Sequence, residues 1–157
     1  MQEKRHVIGV LIKAKQAIKD RDINGVRGLS NQTLHSASIY QDADNIAIAV
    51  ILYSLSKILE RSDYHSYPGW KRFERIYVQA LDHAIEDLKN NDLEHYRAHI
   101  GEIRAALDKI GGRLKISLKE VFRRASINKA SRLHEHGLSL HKTAKILGVT
   151  LWELNQY

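Results

Sequence analysis

The segment from Asp42 to Glu60 constrains the fold more than any other part of the chain. Its sequence, DADNIAIAVILYSLSKILE, would place apolar side chains on nearly every side of a helix. A helix that is apolar on most sides is usually the central one of a bundle, so we expect this segment at the centre. The alternation of Ile and Ala could also suit a strand, but the run continues too far at helical spacing. Either Asp42 or Asp44 is expected to cap its N-terminus.

The neighbouring segments have the one-sided apolar pattern of helices that surround a central one. In the first helix the expected inward stripe is Val7, Val10, Leu11, Ala14, Ala17 and Ile18, and in the second it is Leu29, Leu34, Ala37 and Ile39. A turn is expected between these two helices, because Asp22, Asn24 and Gly25 favour turns over the interior of a helix. Asp92 is expected to cap the fifth helix. The pattern predicts an all-α protein that begins with a bundle over residues 1–110, with helices near 2–19, 25–40, 43–60, 70–90 and 93–110.

The glycine pair Gly111-Gly112 is the predicted boundary between this bundle and a second unit over residues 113–157. Ser117 and Glu120 have the spacing of a capping box, which predicts a helix over 118–136. The second unit is basic, with nine Lys and Arg residues against three acidic ones between Gly111 and Tyr157. A basic surface of this kind attracts polyanions such as nucleic acid. A solvated basic face is the alternative interpretation.

Composition excludes several classes of protein. The chain of 157 residues contains no cysteine, which excludes disulfides, thiolate catalysis and cysteine-ligated zinc. The longest apolar stretch, Ile46 to Tyr53, is far shorter than the roughly 20 residues that a membrane span needs. The first 20 residues lack the pattern of a signal peptide. We therefore expect a cytoplasmic protein with no membrane partner.

The last residues, KTAKILGVTLWELNQY, have the spacing of a helix-turn-helix. Ala144 is small enough for a close helix crossing, Gly148 can adopt the positive φ of the turn, and Leu154 can face back into the crossing. Here the chain resembles the helix-turn-helix DNA-binding proteins. In LSLHKTAKILGVTLWEL it is similar to the short helix-turn-helix of prokaryotic antitoxin-type regulators.

This resemblance implies a DNA-binding transcriptional regulator whose partner is double-stranded DNA. The recognition helix would present base-reading side chains, and basic residues on the preceding helices would contact phosphates. The bundle would supply dimerisation or sensing, because two recognition helices in a homodimer can read a two-fold operator. The implied DNA-binding residues are Leu151, Trp152, Asn155, Gln156, His141, Lys142, Lys145, Arg124 and Arg132.

Two other functions stay open. Leu151 and Trp152 could form an apolar patch for a partner protein, which would make the chain a helical protein-interaction module without DNA binding. The stretch NQTLHSASIYQDADNIAIAVILYSLSKIL resembles the HEPN-like helical bundles of prokaryotes, some of which cut RNA. The nearest arrangement to the Arg and His of those nucleases is Arg61 with His65, four residues apart.

Histidines provide the remaining candidate site. His95 and His99 lie four residues apart on the fifth predicted helix, and Glu102 follows on the same face, a spacing that can hold a metal. His134, His136 and His141 cluster near the predicted turn. We interpret both groups as solvated surface residues and expect no metal or other cofactor. No catalytic group of serine, histidine and carboxylate can be assembled from spacing, so we do not expect an enzyme.

Overall fold

A computed structural model of the chain describes residues 3–40, 42–61, 63–111, 114–124, 142–143 and 145–147. These residues form helices, a short 3₁₀ turn at Tyr64–Ser66 and no strand, which confirms the all-α class. Residues 142–143 and 145–147 are also helical. The longer helices are α1 (Lys4–Lys19), α2 (Ile23–Tyr40), α3 (Ala43–Leu59), α4 (Trp70–Lys89), α5 (Leu93–Lys109) and α6 (Leu114–Arg124).

Helix α3 lies at the centre of the bundle, as its sequence predicts. Every residue of α3 except Lys57 is buried, and α2, α5 and α6 all pack against it. Asp42 is the N-cap, and its carboxylate accepts a hydrogen bond of 3.0 Å from the backbone N–H of Asn45. None of the helices in the described part of the chain is long and apolar enough to cross a membrane.

The outer helices bury the faces that their periodicity predicts. All six residues of the expected α1 stripe are buried, and α1 packs against α2 and α4. Helices α4 and α5 pack as a pair joined by a short turn in which Asn91 has a φ of 57°. Asn tolerates this left-handed conformation better than most residues do. Asp92 then caps α5, because its carboxylate accepts a hydrogen bond from the backbone N–H of His95 at 3.2 Å.

Helix α2 differs from the prediction at its first residues and in the burial of Ile39 near its end. It begins at Ile23, so Asn24 and Gly25 lie in the first turn of the helix and not in the connection before it. The carboxylate of Asp22 accepts a hydrogen bond of 2.8 Å from the backbone N–H of Gly25, as an N-cap side chain does, and this allows the early start. At the other end Ile39, expected to face inward, is 59 % exposed.

Helix α6 begins at Leu114, so the predicted capping box at Ser117 is wrong. Ser117 is buried within the helix, and Glu120 binds Arg123 and Arg124 three and four residues further on. Hydrogen bonds from these two guanidinium groups lower the pKa of Glu120 to about 2. Helix α6 packs against α3, and its Val121 belongs to the buried apolar cluster of the bundle. The division of the chain into two units near residue 111 stays a prediction.

Two tyrosine hydroxyls are buried in the core without a hydrogen-bond partner among the described residues. They belong to Tyr77 on α4 and Tyr96 on α5, and burial raises the pKa of both phenols. A buried hydroxyl that makes no hydrogen bond carries a desolvation cost of about 1–3 kcal/mol. The rings themselves fill core volume, and that of Tyr77 lies 5.5 Å from the ring of Phe73 between centroids.

Replacing Tyr77 with Phe should therefore leave the free energy of unfolding unchanged or raise it by about 1 kcal/mol, because the ring is kept and the unpaired hydroxyl is removed. Urea unfolding followed by circular dichroism measures this change. Tyr77→Leu, which also removes the ring, should destabilise the protein by more than about 2 kcal/mol. A loss of more than about 1 kcal/mol in Tyr77→Phe would mean that the hydroxyl is hydrogen-bonded in solution.

Candidate nucleic-acid interface

A groove with basic walls lies between α5 and the helical residues 142–143 and 145–147. We call it the basic groove, and its volume is about 650 Å³. Arg97, Gly101 and Arg104 are four and three residues apart on α5, so they lie on one face of that helix. The basic groove is lined by Ala43, Arg97, Ala98, Gly101, Arg104, Lys142, Lys145, Ile146 and Leu147.

The second wall of the groove is held against α5 by burial and by a hydrogen bond. The side chains of Thr143 and Leu147 are fully buried, and Leu147 belongs to the same apolar cluster as the bundle. The guanidinium of Arg104 donates a hydrogen bond to the carbonyl oxygen of Leu147. These contacts turn Lys142 and Lys145 outward, where both are exposed.

Gly101 leaves space at the α5 wall of the groove, because it has no side chain. A Cβ atom built at this position would have the carbonyl oxygen of Ile146 as its nearest neighbour, at 3.9 Å, which is an ordinary van der Waals contact. An alanine therefore fits at position 101 without moving the opposite wall. A longer side chain would extend into the groove itself.

Arg97 connects the groove to the core through a buried carboxylate. Its Nε and Nη2 atoms donate hydrogen bonds of 3.0 and 2.8 Å to the two carboxylate oxygens of Asp44 on α3. The Asp44 side chain is only 4 % exposed, whereas that of Arg97 is 44 % exposed. Hydrogen bonding to Asp44 raises the pKa of Arg97. Asp44 is a charged residue at the start of the apolar helix α3, and Arg97 from α5 is its partner.

The two arginines and two lysines of the groove differ in charge balance. Arg97 is paired with Asp44, and Arg104 forms an ion pair of 3.0 Å with Asp108. Lys142 and Lys145 have no carboxylate within ion-pairing distance among the described residues. Within the described part of the chain, the two lysines are therefore the groove charges that no carboxylate balances.

The structure brings two of the sequence-predicted DNA contacts, Lys142 and Lys145, to one surface. Arg124 is not part of that surface: its Nε donates to Glu120 at 2.7 Å, and its guanidinium lies over the Tyr53 ring, 5.3 Å from the centroid. The other predicted residues lie outside the described residues. They are the contacts Leu151, Trp152, Asn155, Gln156, His141 and Arg132, and the scaffold positions Ala144, Gly148 and Leu154.

The histidines of α5 bind carboxylates from the α4–α5 turn region. His95 Nδ1 lies 2.6 Å from Asp92 Oδ2, and His99 Nδ1 lies 2.5 Å from Asp87 Oδ2. Among the residues that the structure describes, no group of three or more His, Asp or Glu side chains could hold a metal ion. His134 and His136 lie outside the described residues.

Arg61 and His65, the pair suggested by the HEPN-like resemblance, have different aromatic partners. Arg61 Nη1 donates a hydrogen bond of 3.4 Å to the Tyr67 hydroxyl. The ring of His65 packs edge-on against Tyr64 with 4.5 Å between centroids, and His65 is exposed. An RNA-directed role for Arg61 and His65 stays a prediction.

Sequence reasoning missed the α5 wall of the groove. A signal was nevertheless present, because an Arg, a Gly and a second Arg at positions 97, 101 and 104 share one helical face. A glycine between two arginines on the same face indicates a place where another segment can approach closely. The segment that approaches could not be identified in this way.

No protein-family model matches the chain, and no curated protein or solved structure shows significant similarity to it.

Replacing Arg97 with Gln should reduce the free energy of unfolding by about 2 kcal/mol, because it leaves the buried Asp44 carboxylate without its charged partner. Urea unfolding measures the loss. In the double variant Arg97→Gln/Asp44→Asn the loss should be smaller than in Arg97→Gln alone, since no unpaired charge stays buried. Equal losses in the two variants would contradict this account of the pair.

The Asp92 carboxylate, through its side-chain hydrogen bond and its charge, raises the pKa of His95 above its usual value of 6.5. The stabilisation from the charged pair is fully present below pH 6.5 and is lost as the pH rises through the raised pKa. Asp92→Asn should return the His95 pKa towards 6.5, as measured by NMR titration of the imidazole. Asn is a good N-cap, so α5 should stay intact. Asp63→Asn is the control, and an unchanged His95 pKa in Asp92→Asn would contradict the assignment.

Proposed function

We propose that this protein binds double-stranded DNA and that Lys142 and Lys145 contact its phosphates. The observation that supports the proposal is the basic groove, where these two exposed lysines have no carboxylate partner among the described residues. Lysine is a point charge that neutralises phosphates without reading bases. This surface would therefore contribute affinity and orientation, not sequence selection.

The helix-turn-helix spacing of the C-terminal sequence supports duplex DNA as the polyanion. In such a unit the basic residues next to the recognition helix position it on the backbone. Lys142 and Lys145 precede the predicted turn at Gly148, so they have this place in the sequence. We propose a transcriptional regulator in which Leu151, Trp152, Asn155 and Gln156 face the bases. Two copies would read a two-fold site.

Binding to a random-sequence DNA duplex should weaken steeply with salt. Replacing both Lys142 and Lys145 with Gln should make the slope of log association constant against log salt concentration less negative by about 1.8, because two phosphate contacts are lost. Fluorescence anisotropy of a labelled duplex at several salt concentrations measures the slope.

The matched control is Lys13→Gln/Lys109→Gln, which removes the same net charge from exposed positions outside the basic groove. Its slope should stay closer to that of the parent protein. Absence of duplex binding at low salt would overturn the proposal. Equal slopes for the two double variants would show that Lys142 and Lys145 do not contact phosphates.

A further inference from the structure

We propose that the basic groove is also a binding site for a small organic phosphate that carries a flat apolar group. The phosphate would lie between Lys142 and Lys145, and the apolar group would lie along α5 over Ala98 and Gly101. This site does not depend on DNA binding, because the groove walls come from one chain and are formed without a duplex.

The charges of the groove match a dianion. The positive charges of Arg97 and Arg104 are each balanced by a carboxylate, from Asp44 and Asp108. Two lysines stay unbalanced among the described residues. A phosphate monoester carries about two negative charges near neutral pH, so it would neutralise the pair. A charge-assisted hydrogen bond donated by each lysine to a phosphate oxygen would hold it there.

The uncharged part of the groove favours a ligand with an apolar body over a free anion. Ala43, Ala98, Gly101, Ile146 and Leu147 line it, and none of these side chains carries a polar group. Its volume of about 650 Å³ lies within the range of small-molecule sites. Binding an apolar body here would remove the exposed surface of Ala98 from water, which adds to the electrostatic attraction.

A phosphate can approach the two lysines without breaking the contacts that form the groove. Arg104 is held by the Leu147 carbonyl and by Asp108, and Arg97 is held by Asp44, so both guanidinium groups keep their positions. The two lysines are exposed and can turn towards the ligand.

The test is isothermal titration calorimetry of the full chain with three probes: 1-naphthyl phosphate, 1-naphthol and inorganic phosphate. We expect 1-naphthyl phosphate to bind with a dissociation constant below about 1 mM and each of the other two to bind at least about tenfold more weakly. The comparison separates the contribution of the charge from that of the apolar body.

Four variants, with a fifth as a substitute for one of them, locate the site. Lys142→Gln/Lys145→Gln should weaken 1-naphthyl phosphate binding by at least about tenfold through loss of charged contacts. Lys13→Gln/Lys109→Gln, with the same net charge, should change it less than about twofold.

Gly101→Leu should weaken binding by filling the groove, whereas Gly101→Ala should not, because its Cβ makes only an ordinary contact. Circular dichroism verifies that each variant is folded, and Ala98→Leu is a second filling variant should Gly101→Leu not fold.

Three results would overturn the proposal. The first is equal binding of 1-naphthol and 1-naphthyl phosphate, which would remove the role of the lysines. The second is equal binding of inorganic phosphate and 1-naphthyl phosphate, which would remove the role of the apolar wall. The third is unchanged binding in both a folded groove-filling variant and Lys142→Gln/Lys145→Gln. Each result concerns the small ligand alone, so it is distinguishable from a failure of DNA binding.

Discussion

The rest of the structure depends on the burial of α3 from all sides. An amphipathic helix can stabilise itself against one neighbour, but a helix with only Lys57 exposed needs neighbours in every direction. Helices α2, α5 and α6 meet this need directly, and α1 and α4 complete the bundle around them. Burial also makes a polar group in the core costly unless it finds a partner, which the hydroxyls of Tyr77 and Tyr96 lack among the described residues.

Asp44 shows this constraint at its strongest and connects the core with the groove. Its carboxylate lies at the start of α3 and is almost fully buried, so it requires a charged partner from another helix. Arg97 supplies two hydrogen bonds from α5 and at the same time lines the basic groove. The residue that satisfies the core therefore also holds one wall of the candidate binding surface in place.

Local and tertiary signals agree in some elements and conflict in others. The stripe of α1 was predictable, and a cap at Asp42 or Asp44 was expected, because capping and periodicity act over a few residues. The start of α6 was not predictable, because Ser117 has the local signal of a cap yet is buried inside a helix that begins at Leu114. Packing of α6 on α3 outweighs a capping preference of about 1 kcal/mol. Ile39 is likewise exposed despite its place in the apolar pattern of α2.

By itself the sequence determined the all-α class, the central place of α3 and the positions of the basic residues along the chain. These follow from the spacing of apolar and charged side chains, which is set within single helices. Only the tertiary structure decided that Arg104 meets Leu147, 43 residues further along the chain, and that Lys142 and Lys145 line the same groove as residues of α5. The physical reason is that periodicity defines a helix face but not its neighbour. Which segment covers that face depends on packing between distant side chains, and here the packing of Thr143 and Leu147 formed the groove.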